Sequence, residues 1–300
     1  RDQRHLPDPR RGGSCRIGPL LHRLAAGVNL PRDRKEEIVG VFSRAAATYD
    51  RIGPRFFAHF GRRLVERAHI VPGATVLDVA AGRGAVLFPA AQQVGPRGRV
   101  IGIDLSAEMV RKTAAEIQGS GPSNAEMLLM DAEELRFADA SFDCLLSGFS
   151  LWFFPEPHRA LAEFFRVLKP GGRIGITTWA RDCPTHSWTN RALRQYLPPQ
   201  RGQEPQPSRF DTPPILETAL QQAGFKEIGI VVEDAEFAFA NEEEWWSSLW
   251  SSGLRRFLEQ MAPLVLQECK ADMLQKIQAF KQQDGIHAVR RALFAVGEKP

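Results

Sequence analysis

The stretch Val76-Leu77-Asp78-Val79-Ala80-Ala81-Gly82-Arg83-Gly84 constrains this chain more than any other. An apolar strand runs into a loop of small residues and then into a helix. Small residues let the backbone approach a ligand closely, and a helix start offers free N–H groups and a positive dipole end. Asp104 closes a second strand, RVIGID, 22 residues after Gly82. A carboxylate there can accept both hydroxyls of a ribose. An acid at that point can also cap the next helix, a task Ser106 could equally take. A dinucleotide site wants a third small residue in the loop, in the pattern G-x-G-x-x-G/A. Counting on from Gly82 and Gly84 gives Leu87 instead, and the charge of Asp78 would repel a pyrophosphate. That charge suits a ligand bearing a positive group.

The rest of the chain repeats the alternation of strand and helix. Strands are expected at 75–79, 99–104, 125–130, 142–149 and 173–179, with helices at 85–94, 106–118 and 156–168. Near-continuous apolar strands alternating with helices imply a parallel sheet covered on both faces. Lys169-Pro170-Gly171-Gly172 reads as a sharp helix-to-strand turn. Two helices, at 36–50 and from 55 to about 69, precede the first strand. After Trp179 the pattern weakens. Residues 181–214 read as an irregular, proline-rich cover, 215–224 as a helix, 225–240 as a strand, 242–283 as a helical insertion and 287–296 as a last strand.

Net charge is +4, and residues 1–35 hold nine Lys/Arg against three acids, so the body is neutral to slightly acidic. That balance argues against nucleic acid. The basic arm 1–35 reads as a solvated tail, and residues 1–30 as dispensable. No apolar run of about 18 residues occurs, so no membrane-spanning helix is expected. The four cysteines are scattered without a CxxC pair, which supports neither a metal site nor a disulfide framework and makes a cytoplasmic setting the default.

Five motifs in order then carry a resemblance. Phe42–Asp50 (FSRAAATYD), VLDVAAGRG, IGIDLS (101–106), MDAEEL (130–135) with SFD (141–143), and RVLKPGG (166–172) look like those of class I S-adenosylmethionine-dependent methyltransferases. Within that class the chain is similar to the ubiquinone/menaquinone C-methyltransferases and related small-molecule enzymes. The resemblance covers roughly residues 38–180 and weakens beyond. It implies an α/β, Rossmann-like, doubly wound sheet of seven strands, mostly parallel with the last antiparallel, and helical lid insertions. It implies S-adenosylmethionine as cofactor. Asp78, Ala80, Gly82, Arg83 and Gly84 would hold its methionine part. Asp104 would bind the ribose, Leu105 would lie against the adenine, and Asp131 and Ala132 would hold the adenine edge. Gly148 would pass close to the cofactor, and Tyr49 would lie over it. The first loop glycine of the family is Ala80 here. Trp152-Phe153 stands where quinone-pathway enzymes carry Arg-Asn, which puts a quinone precursor in doubt.

The division expected is an arm (1–35), a cofactor core (36–180) and a remainder (181–300) with substrate lids at about 181–212 and 241–283. The acceptor expected is a small, largely apolar molecule. A sulfonium methyl is already activated, so transfer needs alignment first and a base only if the acceptor must lose a proton. His186, just beyond the fifth strand, is the candidate base, against the plainer reading of a loop histidine. The tryptophans 179, 188, 245, 246 and 250 read either as core or as the wall of an apolar acceptor pocket. A member of the fold that catalyses a non-methylating reaction is the alternative. A nucleic-acid methyltransferase is disfavoured by the absent Asn/Asp-Pro-Pro-Tyr/Phe motif and by Cys144 lying inside an apolar strand.

Overall fold

Leu77 and Val79 join one hydrophobic cluster and Val76, on the opposite face of the same strand, joins another. This is the two-residue alternation of a strand buried on both faces, and it sets the layers of the molecule. The computed structural model describes residues 31–197 and 210–300. The arm 1–30 and residues 198–209 of the expected first lid lie outside them. Strands β1 (Thr75–Val79), β2 (Arg99–Asp104), β3 (Ala125–Leu129), β4 (Phe142–Gly148) and β5 (Leu168–Trp179) run parallel in the order β3-β2-β1-β4-β5. β6 (Lys226–Phe239) and β8 (Gly285–Glu298) extend the sheet as β5-β8-β6, with β8 antiparallel to both neighbours. A two-residue β7 (Lys281–Gln282) pairs with β8, so the described sheet has eight strands, one short hairpin arm beyond the seven expected.

Helices α1 (Pro31–Ala45), α2 (Phe56–Ala68), α3 (Leu87–Val94), α4 (Ala107–Ser120) and α5 (Pro157–Val167) precede or connect the parallel strands. α2 and α3 cover one face through Phe60, Leu64, Leu87 and Ala90. α5 and α7 (Pro213–Gln222) cover the other through Leu161, Phe164, Leu216 and Leu220. β1 lies between β2 and β4, so the chain departs from it in both directions. The carboxyl ends of β1 and β4 therefore flank a crevice, where ligands of such sheets bind. A third cluster forms from α6 (Pro184–Arg194), α8 (Glu242–Trp250), α9 (Arg255–Leu258) and α10 (Pro263–Lys276) against the ends of β6 and β8.

Four elements differ from the sequence reading. α1 begins at Pro31 and stops at Ala45 instead of spanning 36–50. Proline suits a first helical turn. Residues 46–50 form a turn that ends at Asp50 with φ 54°, its carboxylate accepting from the amides of Phe57 and Ala58 at the start of α2. α3 starts at Leu87, because Gly82 (φ 53°) and Gly84 (φ 79°) keep the preceding loop out of helical geometry. Lys169–Gly172 is looped out within β5: Phe142 pairs with Leu168 but Cys144 with Arg173, and Gly171 takes φ 74°. α6 lies where an irregular cover was expected. Its buried residues are Thr185, Thr189, Ala192 and Leu193, a face too polar and too small to show as an apolar stripe.

Candidate active site

The loop after β1 is held by its own backbone and by its neighbours. Ala81 N–H donates to Ile103 O (2.9 Å), and Gly84 N–H to Ala81 O (2.8 Å). Gly82 N–H donates to Asp104 Oδ2 (2.9 Å), and Thr113 Oγ1 donates to Gly82 O (2.8 Å). Ala80 adopts φ 56°, a left-handed conformation that costs a non-glycine residue about 1–2 kcal/mol. The Arg83 guanidinium is engaged within the protein. It donates to Ala46 O (2.6 Å) and Glu116 (2.8 Å), stitching the loop to the turn after α1. A Cβ on Gly84 would meet the Phe88 ring at 2.4 Å, so only glycine closes the turn there.

Of the five carboxylates that line the crevice, three are raised by burial. Asp78, in β1, is 1% exposed, and neither of its oxygens has a hydrogen-bond partner among the described residues. Burial, then the charge of Asp104, raises it well above the usual carboxylate range, opposed by the Leu87 amide, which lies nearby but outside hydrogen-bond geometry. Asp104, at the end of β2, accepts from Gly82 N–H and Ser106 N–H (2.8 Å) and is raised by burial to about 6. Ser106 itself caps α4, its hydroxyl accepting from Met109 N–H (3.3 Å). Asp50 is likewise raised by burial to about 6. A buried carboxylate with no donor is expensive unless a cation or donor from outside completes it. The site therefore fits a ligand with a positively charged end at Asp78 and hydroxyls at Asp104.

The crevice has an empty volume of about 1190 Å³, its open mouth included. Asp78, Ala80, Gly82, Arg83, Asp104, Leu105, Asp131, Ala132, Gly148 and Tyr49 all line it, so the structure brings together ten of the residues singled out in the sequence. Gly84 is not among the residues that line it. A Cβ on Gly148 would come within 3.1 Å of Val86 and 3.6 Å of Thr177 Oγ1. Tyr49 stacks on Phe57 (5.1 Å, 9° between planes) and meets Phe42 edge-on. Burial and the carboxylates Asp50 and Asp104 push its phenol up, so it stays protonated.

Several wall residues escaped the sequence reading. Lys35, from α1, pairs with Asp131 (2.6 Å) and with the buried Glu133 (2.5 Å). Glu133 also accepts from Glu156 N–H (2.6 Å). Asp50, Phe57, Thr177 and Ser150 complete the wall. Only the acidic neighbours in MDAEEL and the YD pair hinted at any of them. Asp143 behaves as a structural residue, accepting from Thr75 N–H (2.8 Å) and Lys169 (2.6 Å).

His186 lies on α6, outside the wall of this crevice. Its ring stacks beside Trp179 (5.2 Å), with Nε2 3.0 Å from Asn190 Nδ2 and Nδ1 3.5 Å from Arg290. Burial, then the charges of Arg290 and Arg256, pull it down to about 3, so the imidazole is neutral. Of the aromatics, Phe153 faces the crevice, whereas Trp245 and Trp246 are buried in the third cluster. No group of three or more His, Cys, Asp or Glu that could hold a metal occurs among the described residues. No described helix is long and apolar enough to cross a membrane.

Residues 76–172 match a family model described as a methyltransferase domain. The nocamycin O-methyltransferase of Saccharothrix syringae is 33% identical over 270 residues, 86% of this chain and 96% of the relative. A demethylmenaquinone methyltransferase of Listeria welshimeri is 27% identical over 211 residues, 69% of this chain and 89% of the relative. The solved structure of Haemonchus contortus phosphoethanolamine N-methyltransferase 2, in complex with S-adenosyl-L-methionine, shares the fold: TM-score 0.53, 19% identity, 88% of this chain and 57% of that one. The crevice at the β1/β4 switch point, its orphaned carboxylate and these likenesses converge. The chain belongs to the class I S-adenosylmethionine-dependent methyltransferases, enzymes of the Rossmann-like α/β fold, and it uses S-adenosylmethionine to methylate a small molecule.

Proposed function

We propose that the crevice between β1 and β4 is where cofactor and acceptor meet, and that the acceptor is a small, largely apolar molecule methylated on oxygen. In this reading Asp78 receives the ammonium of the methionine part while Ala80, Gly82, Arg83 and Gly84 shape the backbone around it. Asp104 takes the ribose hydroxyls, Leu105 lies against the adenine, and Asp131 and Ala132 face its edge. Gly148 keeps the sulfur side of the crevice clear, and Tyr49 covers it from the turn after α1. The observation that carries the assignment is the buried Asp78 carboxylate with no donor of its own. When bound, the cofactor supplies a methyl already activated on a sulfonium. What remains for the protein is to hold the acceptor oxygen in line with that methyl and to exclude water.

The apolar acceptor is supported by the rest of the wall: Phe42, Phe57, Phe149, Phe153, Phe154 and Val86. Oxygen is supported by the likeness to an O-methyltransferase along nearly the whole of that relative. The helices α6 and α8–α10 act as the lid, on the division into a cofactor core (36–180) and a lid-bearing remainder (181–300). A cytoplasmic setting fits the same reading, since Cys144, Cys183 and Cys269 are buried free thiols. The experiment is calorimetry with S-adenosylmethionine, S-adenosylhomocysteine and NAD, followed by mass spectrometry of a panel of aromatic hydroxy and carboxy compounds. The first two ligands should bind and a +14 Da product should form, with the mass gained on oxygen. Tight NAD binding, or transfer only to nitrogen, carbon or a macromolecule, would overturn the reading.

A further inference from the structure

We propose that the acceptor carries an ionised acidic group, a carboxylate, anchored on Arg290 with Arg256 beside it. The inference rests on the small-molecule reading above and names the class of acceptor within it. Two adjacent pairs of arginines point to it. Arg291 is partly exposed and doubly paired, with Asp234 (2.7 Å) and Asp182 (2.6 Å). Its neighbour Arg290 is 3% exposed, yet no carboxylate pairs with it among the described residues and its Nε has no partner. Arg255 pairs with Glu259 (2.6 Å), while the next residue, Arg256, also has a buried Nε without a partner. Arg291 and Arg255 are matched by acids, whereas the buried Arg290 and the partly buried Arg256 have no ion pair among the described residues. A buried guanidinium is ordinarily paired, because taking its charge out of water is costly.

What surrounds these arginines does not complete them. Arg290 lies over the rings of Phe56 (5.1 Å to the centroid) and Trp179 (5.9 Å). Arg256 lies over Phe257 (4.5 Å) and Phe153 (5.8 Å). Ring faces offset part of the charge, but a guanidinium presents five N–H donors. His186 Nδ1, at 3.5 Å, is a marginal acceptor for one of them. His186 meets Arg290 and sits on α6, which packs against α9, the helix that carries Arg256, so the two arginines flank one region. Arg194 lies over the same Phe257 ring as Arg256, and Arg34 and Glu37 share the small pocket with it. The region is thus electropositive and walled by aromatic rings.

It also adjoins the cofactor crevice. Trp179 packs on Phe149 (4.2 Å), which lines the crevice. Phe153 lines both the crevice and a smaller adjoining pocket that contains Arg34, Glu37, Gly253 and Arg256. An acid held by the arginines would lay its apolar body against Phe149 and Phe153, one aromatic layer from the cofactor. His186 then serves as a positioning residue for Arg290 and accepts no proton from the acceptor.

The test uses the full chain saturated with S-adenosylhomocysteine at pH 7.5, titrated with 2-naphthoate and with its uncharged isostere 2-naphthamide. The carboxylate should bind roughly tenfold to a hundredfold tighter than the amide, as expected for a charge-assisted contact. Arg290→Met and Arg256→Met should each bring that ratio close to one while changing the affinity for S-adenosylhomocysteine less than about twofold, the change expected where no contact is lost. Arg290→Lys, which keeps charge but loses the planar fork, should fall between, and it carries the test if Arg290→Met does not fold. Equal affinities for acid and amide, no binding of either, or a ratio that survives the substitutions would overturn the proposal and leave the methyltransferase site standing. Failure of the parent to bind S-adenosylhomocysteine would overturn both.

Discussion

Asp78 and Asp104 are the residues on which binding and stability pull in opposite directions. Asp78 is buried with no donor, so Asp78→Asn should leave the ligand-free protein as stable or more so, seen as an unchanged or raised Tm. The same change should weaken S-adenosylmethionine by ~1.5–3 kcal/mol, the worth of a hydrogen bond to a charged group, read by calorimetry. A fall in both would show that Asp78 is a structural acid. Asp104 and Asp50 are both held at about 6 by burial, above the ~3.9 of a free aspartate. The folded state therefore binds more protons than the unfolded chain between about pH 4 and pH 6. Ligand-free stability should fall as pH rises through that window and level off above it. Cofactor affinity should rise over pH 5–7, because ribose hydroxyls bond best to ionised Asp104. Paired Tm and Kd series over pH 4–8 check both signs, and a flat affinity profile would count against Asp104 as the ribose ligand. At this scale Asp78, Asp104 and Asp131 were legible because each sits at a fixed offset from a strand end. Lys35, Asp50 and Glu133 were not, since their roles depend on partners from other elements that local pattern does not reveal.

α1 and α2 form the wall that closes the crevice over the loop, and each is attached by a different kind of contact. α1 is held by Lys35 to Asp131 and Glu133, by the Ser43–Ser106 hydroxyl pair (2.8 Å) and by Arg44–Glu259 (2.6 Å). Exposed pairs such as Arg44–Glu259 contribute only ~0–1 kcal/mol, whereas Glu133 is buried. Lys35→Met should therefore speed cofactor release several-fold while Arg44→Ala barely changes it; stopped-flow fluorescence separates them. α2 is held by close backbone contact. A Cβ on Gly61 would meet Ala85 O at 2.2 Å, at the end of the cofactor loop. Gly61→Ala should cost about 1–3 kcal/mol, as overpacking does, and should weaken the cofactor as well. Urea unfolding and calorimetry check the two effects. The helices and parallel strands were readable from periodicity. The extent of α1, the looped-out Lys169–Gly172 and the presence of α6 were not. Their limits are set by Asp50 reaching α2, by register against β4 and by packing on β8.

Across the whole molecule the helices α6 and α8–α10, proposed as the lid, have a core separate from that of the sheet, joined to it by the long strands β6 and β8. Trp245 is fully buried in the lid core with Phe239, Leu249 and Ile286 and does not line the crevice. Trp245→Ala should cost about 3–5 kcal/mol. The loss should fall on the lid: an early urea transition in tryptophan fluorescence, acceptor turnover lost, and cofactor affinity retained. A single transition with cofactor binding lost would show that the two cores melt as one. Strand periodicity and the strand–loop–helix geometry are local, so the parallel sheet and the places of Asp78, Asp104 and Asp131 near its strand ends were readable from the sequence alone. The sequence also carried the resemblance that named the cofactor. Only the packed molecule shows which aromatics face the crevice, why His186 is neutral and set back from it, and that Arg290 is buried without an acid beside it. These depend on residues distant in the chain, such as His186 and Arg290, 104 positions apart, brought together by folding. Burial then sets their charge states, and burial is a property of the packed molecule.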